Sequence, residues 1–141
     1  MEVTANGTVG PVSGSGHTNH VSGITSASGK MCSVAFDDTF REFASGRFDS
    51  SSLSTAGQPR GITGLNDGTV FIATSSVVEV VKSGKKVYNL KVTYTPSSIA
   101  ACGKIVAIGA EASTRFLLKG LRAYVLIRTK RYTSMNGMGQ N

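Results

Sequence analysis

Charged residues are scarce in this chain of 141 residues, because Asp, Glu, Lys and Arg make up only 16% of it. Exposed helix faces are usually filled with charged, straight-chain residues, so this scarcity argues against long helices. Gly, Ser and Thr are plentiful instead, which favours strands joined by turns. Since 40% of the residues are hydrophobic, the chain is long enough and apolar enough for one domain with a core.

Long apolar runs are also missing, and the first residues do not have the pattern of a signal peptide. No run approaches the roughly 20 apolar residues of a membrane helix. The N-terminus, MEVTANGTVGPV, lacks the basic start and apolar block of a signal peptide. Only two cysteines occur, Cys32 and Cys102, both in apolar, strand-like surroundings. We therefore expect two buried, reduced thiols in a cytoplasmic protein rather than a disulfide or a metal site.

The positive charge is concentrated at the C-terminal end. Residues 1–111 have a net charge of +1, whereas residues 112–141 have a net charge of +6 and contain no acid. The basic residues of this tail are Arg115, Lys119, Arg122, Arg128, Lys130 and Arg131. The alternation in RAYVLIRTK favours a strand; the alternative is a salt-sensitive basic segment that binds nucleic acid, membrane or another acidic partner. Because the tail has no nucleic-acid motif, we favour the strand and do not expect nucleic acid or membrane as partners.

An internal repeat organises most of the chain. Residues 22–46 align without a gap on residues 60–84 at an offset of 38, and a third copy follows at 97–120. Each copy consists of short alternating segments separated by turns that contain glycine or aspartate. A β-sandwich would also give short strands, but not this self-match. Four short strands per repeat of this length are typical of a propeller blade, so we predict an all-β fold, a partial β-propeller of two to three four-stranded antiparallel blades.

The repeat also predicts how the chain is divided. The expected segments are a disordered N-terminal lead (1–15), a first blade (16–58), a second blade (59–95), a partial third blade (96–128) and a disordered basic and polar tail (129–141). An open propeller leaves an apolar face uncovered at each end. We therefore expect the isolated chain to be marginally stable, to self-associate through its open blade faces, or to need further blades in trans.

Polar residues stand where two loops of the first blade should meet. His17 precedes the first strand, and Asp37 and Thr39 stand in the turn between the second and third strands. We expect the imidazole to donate a hydrogen bond to the carboxylate, with Thr39 closing the turn and Ser33 relaying the contact from the intervening strand. The expected role is structural, because no nucleophile at a recognisable elbow accompanies the histidine and the aspartate.

No other motif indicates catalysis, a cofactor or a metal. His17 and His20 have H-x-x-H spacing, but a zinc site usually needs two more ligands. The neighbouring acids Asp37 and Asp38 suit a turn better than acid–base chemistry. We therefore expect a protein that is not an enzyme and has no cofactor, metal or small-molecule substrate. Partner contacts are expected from loops at the blade ends. The residues proposed for these contacts are Thr18, Asn19, His20 and Arg47.

The sequence of the first predicted blade resembles that of the WD-repeat family. The residues that carry this resemblance are Gly16–His17 and the run from Asp37 to Arg41, DDTFR, with Phe43 in place of the usual tryptophan. The second copy departs from the pattern, because Ser75–Ser76 stands where the family has an acid. On this motif alone, a generic WD-repeat scaffold for protein–protein contacts is the expected function.

Longer segments are more specific. GHTNHVSGITS, DDTFREF, QPRGI, VVEVVKSGKKVYNLKVTYTPSSIA and KIVAIGAE together resemble the actin-interacting protein 1 family over residues 14–111. The resemblance implies that the chain corresponds to the start of the second of two linked propellers. It further implies binding to cofilin-decorated actin filaments, cofilin-assisted filament disassembly, and a place in the cytoplasm and cytoskeleton. After Glu111 the chain departs from the family pattern, so the role of the basic tail does not follow from the resemblance.

Overall fold

The computed structural model describes residues 2–10, 12–92, 95–102, 105–111, 123–124 and 130–131, and every regular element among them is a β-strand. These strands form one two-stranded ribbon and three larger antiparallel sheets. The all-β prediction is confirmed, and the three sheets follow one another along the chain as the blades of an open β-propeller. Within the described residues, no helix is long and apolar enough to cross a membrane.

The N-terminal ribbon differs from the disordered lead expected for residues 1–15. Strand β1 (Glu2–Val3) pairs with β2 (Val9–Gly10). The turn between them is closed by its own backbone, since the Thr4 N–H donates to the Thr8 carbonyl at 2.8 Å. Local turn chemistry of this kind orders a short hairpin even where few side chains can pack.

The first sheet contains five strands. They are β3 (Val21–Ala27), β4 (Lys30–Ala35), β5 (Thr39–Ala44), β6 (Arg47–Phe48) and β7 (Leu53–Ser54). β3, β4 and β5 pair in sequence order, and both β6 and β7 pair with β5. The fourth strand of this blade is thus divided into two short pieces.

The second sheet is a regular blade of four strands in sequence order. They are β8 (Pro59–Gly64), β9 (Thr69–Thr74), β10 (Val77–Lys82) and β11 (Lys85–Lys91). The turn between β10 and β11, Ser83–Gly84, has positive φ at both residues, as does Ser45–Gly46 in the first sheet. Two such residues make a turn whose twist matches that of the flanking strands, which explains the Ser-Gly pairs in the repeat.

The third sheet is built on β12 (Pro96–Cys102) and β13 (Ile105–Glu111). Strands β14 (Ala123–Tyr124) and β15 (Lys130–Arg131) both pair with β13. The segment TRFLL, for which the repeat predicts the third strand, lies outside the described residues. Lys130 and Arg131, which were expected in a disordered tail from residue 129, pair instead with Val106 and Ile105.

A β-bulge recurs at the same place in every blade. Pairing between the first two strands shifts register after Val21, after Pro59 and after Pro96. The spacing between these positions is 38 residues and then 37, which matches the repeat in the sequence. The bulge therefore belongs to the repeating unit and bends the first strand of each larger sheet in the same way. These first strands, β3, β8 and β12, are here called the inner strands.

The gapless alignment of the first two copies conceals a shift of one residue. Gly23 pairs with Val34, whereas Gly61, which lies 38 residues later, pairs with Ala73 rather than with residue 72. The turn before β9 is longer than its counterpart before β4, and the turn after β9 is shorter. Since side chains alternate between faces, this shift decides which residues of β9 face which neighbouring sheet.

Two apolar cores lie between consecutive sheets. The core between the first and second sheets consists of Ala27, Cys32, Val34, Phe40, Ile62, Val70, Ile72 and Val81. The core between the second and third sheets consists of Leu65, Phe71, Ala73, Val78, Val80, Leu90, Val106 and Ile108. Every residue of β9 is buried, because its two faces contribute to different cores. The second sheet is thus an interior sheet, packed on both sides.

The inner strands of successive sheets contact one another through the same pair of positions. A β-carbon on Gly23 would lie 2.8 Å from Cγ2 of Ile62, and one on Gly61 would lie 3.5 Å from Cγ2 of Ile99. β3 therefore packs against β8 as β8 packs against β12. The small residue on one sheet accommodates the isoleucine of the next.

We expect Gly64→Ala to destabilise the contact between the first two sheets. A β-carbon on Gly64 would overlap the Ser26 carbonyl oxygen of β3 and lie 3.0 Å from the β-carbon of Ala27. Because backbone must move to relieve this overlap, the free energy of unfolding in urea should fall by about 1–3 kcal/mol. Gly10→Ala is the matched control, since a β-carbon there meets nothing within 4 Å. Equal stability of the two variants would contradict the expected contact.

Candidate functional site

A network of hydrogen bonds centred on His17 links two loops of the first blade. Its Nδ1 lies 3.2 Å from both carboxylate oxygens of Asp37 and 3.1 Å from the Thr39 hydroxyl. Its Nε2 lies 2.8 Å from the Ser33 hydroxyl. In the neutral imidazole, Nδ1–H donates to the carboxylate and the Ser33 hydroxyl donates to Nε2. The structure brings together all four residues proposed for this network from the sequence.

The Asp37 carboxylate receives more donors than the histidine alone. Oδ1 accepts from the Thr39 backbone N–H at 3.1 Å and from the Thr39 hydroxyl at 2.6 Å. Oδ2 accepts from the Thr18 backbone N–H at 2.9 Å. Burial alone would raise the pKa of Asp37. The hydrogen bonds from Thr39, Thr18 and His17 outweigh burial and lower the pKa from 3.8 to about 2.

The order Ser33, His17, Asp37 is also the order of groups in a hydrolase triad, but its surroundings do not suit that chemistry. The His17 side chain is only 3% exposed, and Ser33 is buried beneath it on β4. A substrate carbonyl has no approach to the serine hydroxyl, and the serine stands within a strand rather than at a sharp turn. We infer that the network fixes the loop at residues 16–18 to the turn at residues 37–39.

Glu79 has a comparable position in the second blade, although it was not among the residues predicted from the sequence. Its side chain is 1% exposed and its Oε2 lies 2.9 Å from Nζ of Lys86. Its Oε1 accepts from the Ala56 backbone N–H at 2.6 Å. Ala56 lies 38 residues after Thr18, so a carboxylate holds the same loop position in both blades. The available signal was a single acid within the apolar run VVEVV.

The residues proposed for partner contacts do not form one surface. Thr18, Asn19 and His20 are exposed beside the Asp37 turn. The His20 ring lies 5.0 Å from that of Phe36. Arg47 is exposed at the other end of the first sheet, where it pairs with Ala44. Any partner contact through these residues therefore involves two separate ends of the blade.

Arg47 lines a cleft of about 460 Å³ at its end of the sheet. Charged side chains of both signs surround the cleft, among them Lys30, Glu42 and Asp49. Lys30 Nζ lies 3.7 Å from a Glu42 carboxylate oxygen, across a largely hydrated surface. Within the part of the chain that the structure describes, no group of three or more His, Cys, Asp or Glu could hold a metal ion. The mixed charge suits a polar segment of another protein better than a small apolar ligand.

The two cysteines differ from each other. Cys32 is buried between the first two sheets, and burial raises its pKa to about 11. Cys102, for which the sequence also predicted burial, is exposed. That prediction was wrong because Cys102 lies on the face of β12 that points away from the second sheet, opposite to the side of Ile99 and Ala101. Both thiols are free.

The basic tail lies mostly outside the described residues. Arg115, Lys119, Arg122 and Arg128 belong to the parts of the chain that the structure does not describe. Lys130 and Arg131 form β15, whose backbone pairs with β13. This pairing differs from the disordered tail expected for residues 129–141.

Lowering the pH from about 4 to about 2 should remove part of the stability of the first blade. The pKa of Asp37 is lower in the folded state than its ordinary value, so the folded state binds fewer protons in this range. The stability gained above pH 4 is therefore lost as the pH falls through about 2. Asp37→Asn should reduce the pH dependence of the free energy of unfolding, measured in urea from pH 6 to pH 2.

Asp38→Asn is the control for this experiment. Asp38 is exposed and has a φ of +58°, which asparagine tolerates. Asp67 also has a lowered pKa, chiefly because the Thr69 backbone N–H donates to it. Its contribution to the pH dependence of the free energy of unfolding should be the same in the unchanged chain, Asp37→Asn and Asp38→Asn. An Asp37→Asn variant with the same pH dependence as Asp38→Asn would contradict the role given to Asp37.

Glu79→Ala should be far more destabilising than Glu42→Ala. Removing Glu79 leaves the Ala56 N–H without its acceptor and opens a space among buried side chains, with an expected loss of about 1–3 kcal/mol. Glu42 pairs with Lys30 near the surface at 3.7 Å, and such pairs contribute about 0–1 kcal/mol. Urea unfolding of both variants measures the difference. Losses of equal size would mean that Glu79 does not anchor the loop.

No family model matches the chain. It is 28% identical to actin-interacting protein 1 of Drosophila melanogaster over 113 residues, which is 77% of this chain and 19% of that protein. This finding confirms the resemblance drawn from the sequence segments. The chain thus spans about a fifth of the relative that it matches.

Two solved structures share the fold. The match to the computationally designed Ika8 protein has a TM-score of 0.50 at 19% identity, and it covers 67% of this chain and 31% of the Ika8 chain. The match to regucalcin of Agrobacterium tumefaciens, a calcium-binding protein, has a TM-score of 0.53 at 12% identity, and it covers 79% of this chain and 47% of the regucalcin chain. At these identities the likeness concerns the fold alone. The chain is a set of consecutive β-propeller blades whose sequence is similar to actin-interacting protein 1.

Proposed function

We propose that this chain acts through protein–protein contacts in an actin-related role, as a WD-repeat module without enzymatic activity. The observation that carries the proposal is the 28% identity to actin-interacting protein 1 over 113 residues. The arrangement of blades supports it, because propellers present loops of neighbouring blades on common surfaces. On the same ground, the proposed location is the cytoplasm and the cytoskeleton.

The finer proposal is that the chain binds actin filaments and assists their disassembly together with cofilin. It rests on the segments that resemble the actin-interacting protein 1 family, from GHTNHVSGITS to KIVAIGAE. Because the chain spans 19% of the relative, it carries only part of the surface that the longer protein presents. Affinity for filaments is therefore expected to be weak, and cofilin on the filament should increase it.

We further propose that the loop at residues 18–20 makes the partner contact. Its first backbone N–H is bound to the Asp37 carboxylate, so the loop is ordered before it meets a partner. Thr18, Asn19 and His20 are all exposed. A loop that is already fixed loses less conformational entropy on binding, which makes it a better contact than a mobile loop of the same composition.

Co-sedimentation with filaments tests the proposal. The full chain is centrifuged with actin filaments, with and without cofilin, over a range of filament concentrations. We expect pelleting that depends on filaments and rises at least severalfold when cofilin is bound. A Thr18→Ala, Asn19→Ala, His20→Ala triple variant should lose most of this pelleting. Asn66→Ala, in the exposed turn between β8 and β9, is the control, because no contact is proposed there.

Three outcomes would change the conclusion. Pelleting no greater than that of an unrelated protein of similar charge would overturn the actin-related role. Pelleting that cofilin does not change would leave actin binding and remove cofilin. Pelleting that disappears when the six basic residues of the tail become glutamine, together with equal retention on an anionic polymer, would favour the basic-tail alternative.

A further inference from the structure

The first sheet exposes an apolar face, here called the leading face, on the side away from the second sheet. Val21, Ile24 and Met31 are 40%, 64% and 42% exposed. They share this face because their partners across β3 and β4 are Ala35, Ser33 and Ser26, so all three stand on the same side of the pleat. These are large side chains to leave in water together.

The positions equivalent to these three are covered in the later blades. The hydrogen-bond registers make Val21 equivalent to Pro59 and Pro96, Ile24 equivalent to Ile62 and Ile99, and Met31 equivalent to Val70 and Val106. Pro59, Ile62 and Val70 are buried in the second sheet, and Pro96 and Val106 are buried in the third. Ile99 is partly buried and packs against the core between the second and third sheets. The leading face is therefore a blade interface for which this chain supplies one side.

The third sheet presents the other side of such an interface. Its trailing face, on the side away from the second sheet, carries Ser98, Ala100 and Cys102, all exposed, with Ala107 and Gly109 paired beside them. Ser98 is equivalent to Gly23 and Gly61, which accommodate the isoleucines of the next sheet. The residues are small, as the packing of an isoleucine from a following sheet requires.

We propose that two or more copies of this chain assemble head to tail, with the leading face of one copy on the trailing face of the next. Ile24 of one copy then packs over Ser98 of its neighbour at the separation of Ile99 and Gly61, where a β-carbon on the small residue would lie 3.5 Å from the isoleucine. The closer approach of Ile62 to Gly23, at 2.8 Å, has no room for a serine. This contact is heterologous and therefore generates either a ring or an open filament. Two copies with three sheets each would make a ring of six blades, within the usual range of about four to eight.

A second copy is the occupant that the structure favours because one chain carries both complementary faces. The alternative is that the leading face is already capped. His17 covers Ser33, and Nη1 of Arg41 donates to the Ser15 carbonyl at 3.0 Å, so residues 15–17 cover the part of the face near β5. The part near β3, around Ile24, remains open. The inference does not rest on the actin-related function.

Light scattering after size-exclusion chromatography tests the assembly, with the full chain loaded from about 1 to 200 µM. We expect the mass to rise from one copy to two or more with concentration. Ile24→Asp should abolish this rise, and so should Ser98→Arg on the opposite face. Val87→Asp is the matched control, because Val87 is 51% exposed on β11, away from both faces. Far-ultraviolet circular dichroism confirms that each variant retains the β-sheet spectrum.

Mixing the two blocked variants separates head-to-tail assembly from other contacts. Ile24→Asp retains an intact trailing face and Ser98→Arg an intact leading face, so the mixture should form a dimer that neither variant forms alone. Ser98→Gly, which restores the glycine of the other two blades, should tighten self-association at least severalfold. A variant with Ile24→Cys, Ser98→Cys and Cys102→Ser should form a disulfide between copies. The control variant with Val87→Cys, Ser98→Cys and Cys102→Ser should not.

A single copy at every concentration, together with no disulfide in the cysteine variant, would overturn the proposal and indicate a capped first blade. Self-association that Ile24→Asp leaves unchanged would equally overturn it, since the contact would then use another surface. Loss of actin binding without loss of assembly would leave this inference intact and affect only the proposed function.

Discussion

The packing of an isoleucine from one sheet over a small residue of the preceding sheet is the contact on which the structure depends. Ile62 lies over Gly23 and Ile99 lies over Gly61. With no β-carbon at these glycines, the inner strands approach closely enough for the flanking side chains to form a continuous core. The contact recurs because the β-bulge before each of these positions recurs. The same local feature therefore makes each sheet pack on the next in the same way. The burial of β9 on both faces and the exposure of Ile24 are two consequences of this relation.

Carboxylates perform the second recurring task, which is to hold the loop that enters each of the first two blades. In the first blade Asp37 stands in a turn and is joined by a histidine and two hydroxyl groups. In the second blade Glu79 reaches the equivalent loop from within a strand and is neutralised by Lys86. The requirement common to both is an acceptor for the backbone N–H of an exposed loop residue, Thr18 or Ala56, and this hydrogen bond fixes the loop to the sheet. The repeat thus preserves the hydrogen bond rather than the residue that makes it.

These two features assign different tasks to different surfaces. The faces of the sheets are apolar or small and suit contact with another blade, whereas the blade ends carry fixed polar loops that suit contact with a partner protein. The chain is similar to actin-interacting protein 1 over 77% of its length, and we propose that the second kind of surface makes the actin-related contacts. Because the two surfaces share few residues, assembly and partner binding can be altered separately.

The sequence by itself determined the strands, the turns and the repeat. Alternation, Ser-Gly pairs and an offset of 38 residues are local signals, and they also placed His17 near Asp37 once a blade was assumed. Only the tertiary structure decided the one-residue displacement of β9, the anchoring role of Glu79, the exposure of Cys102 and the order of the first ten residues. Each of the first three depends on which face of a strand meets a neighbouring sheet. A change of one residue in turn length inverts that choice without altering the composition of the strand.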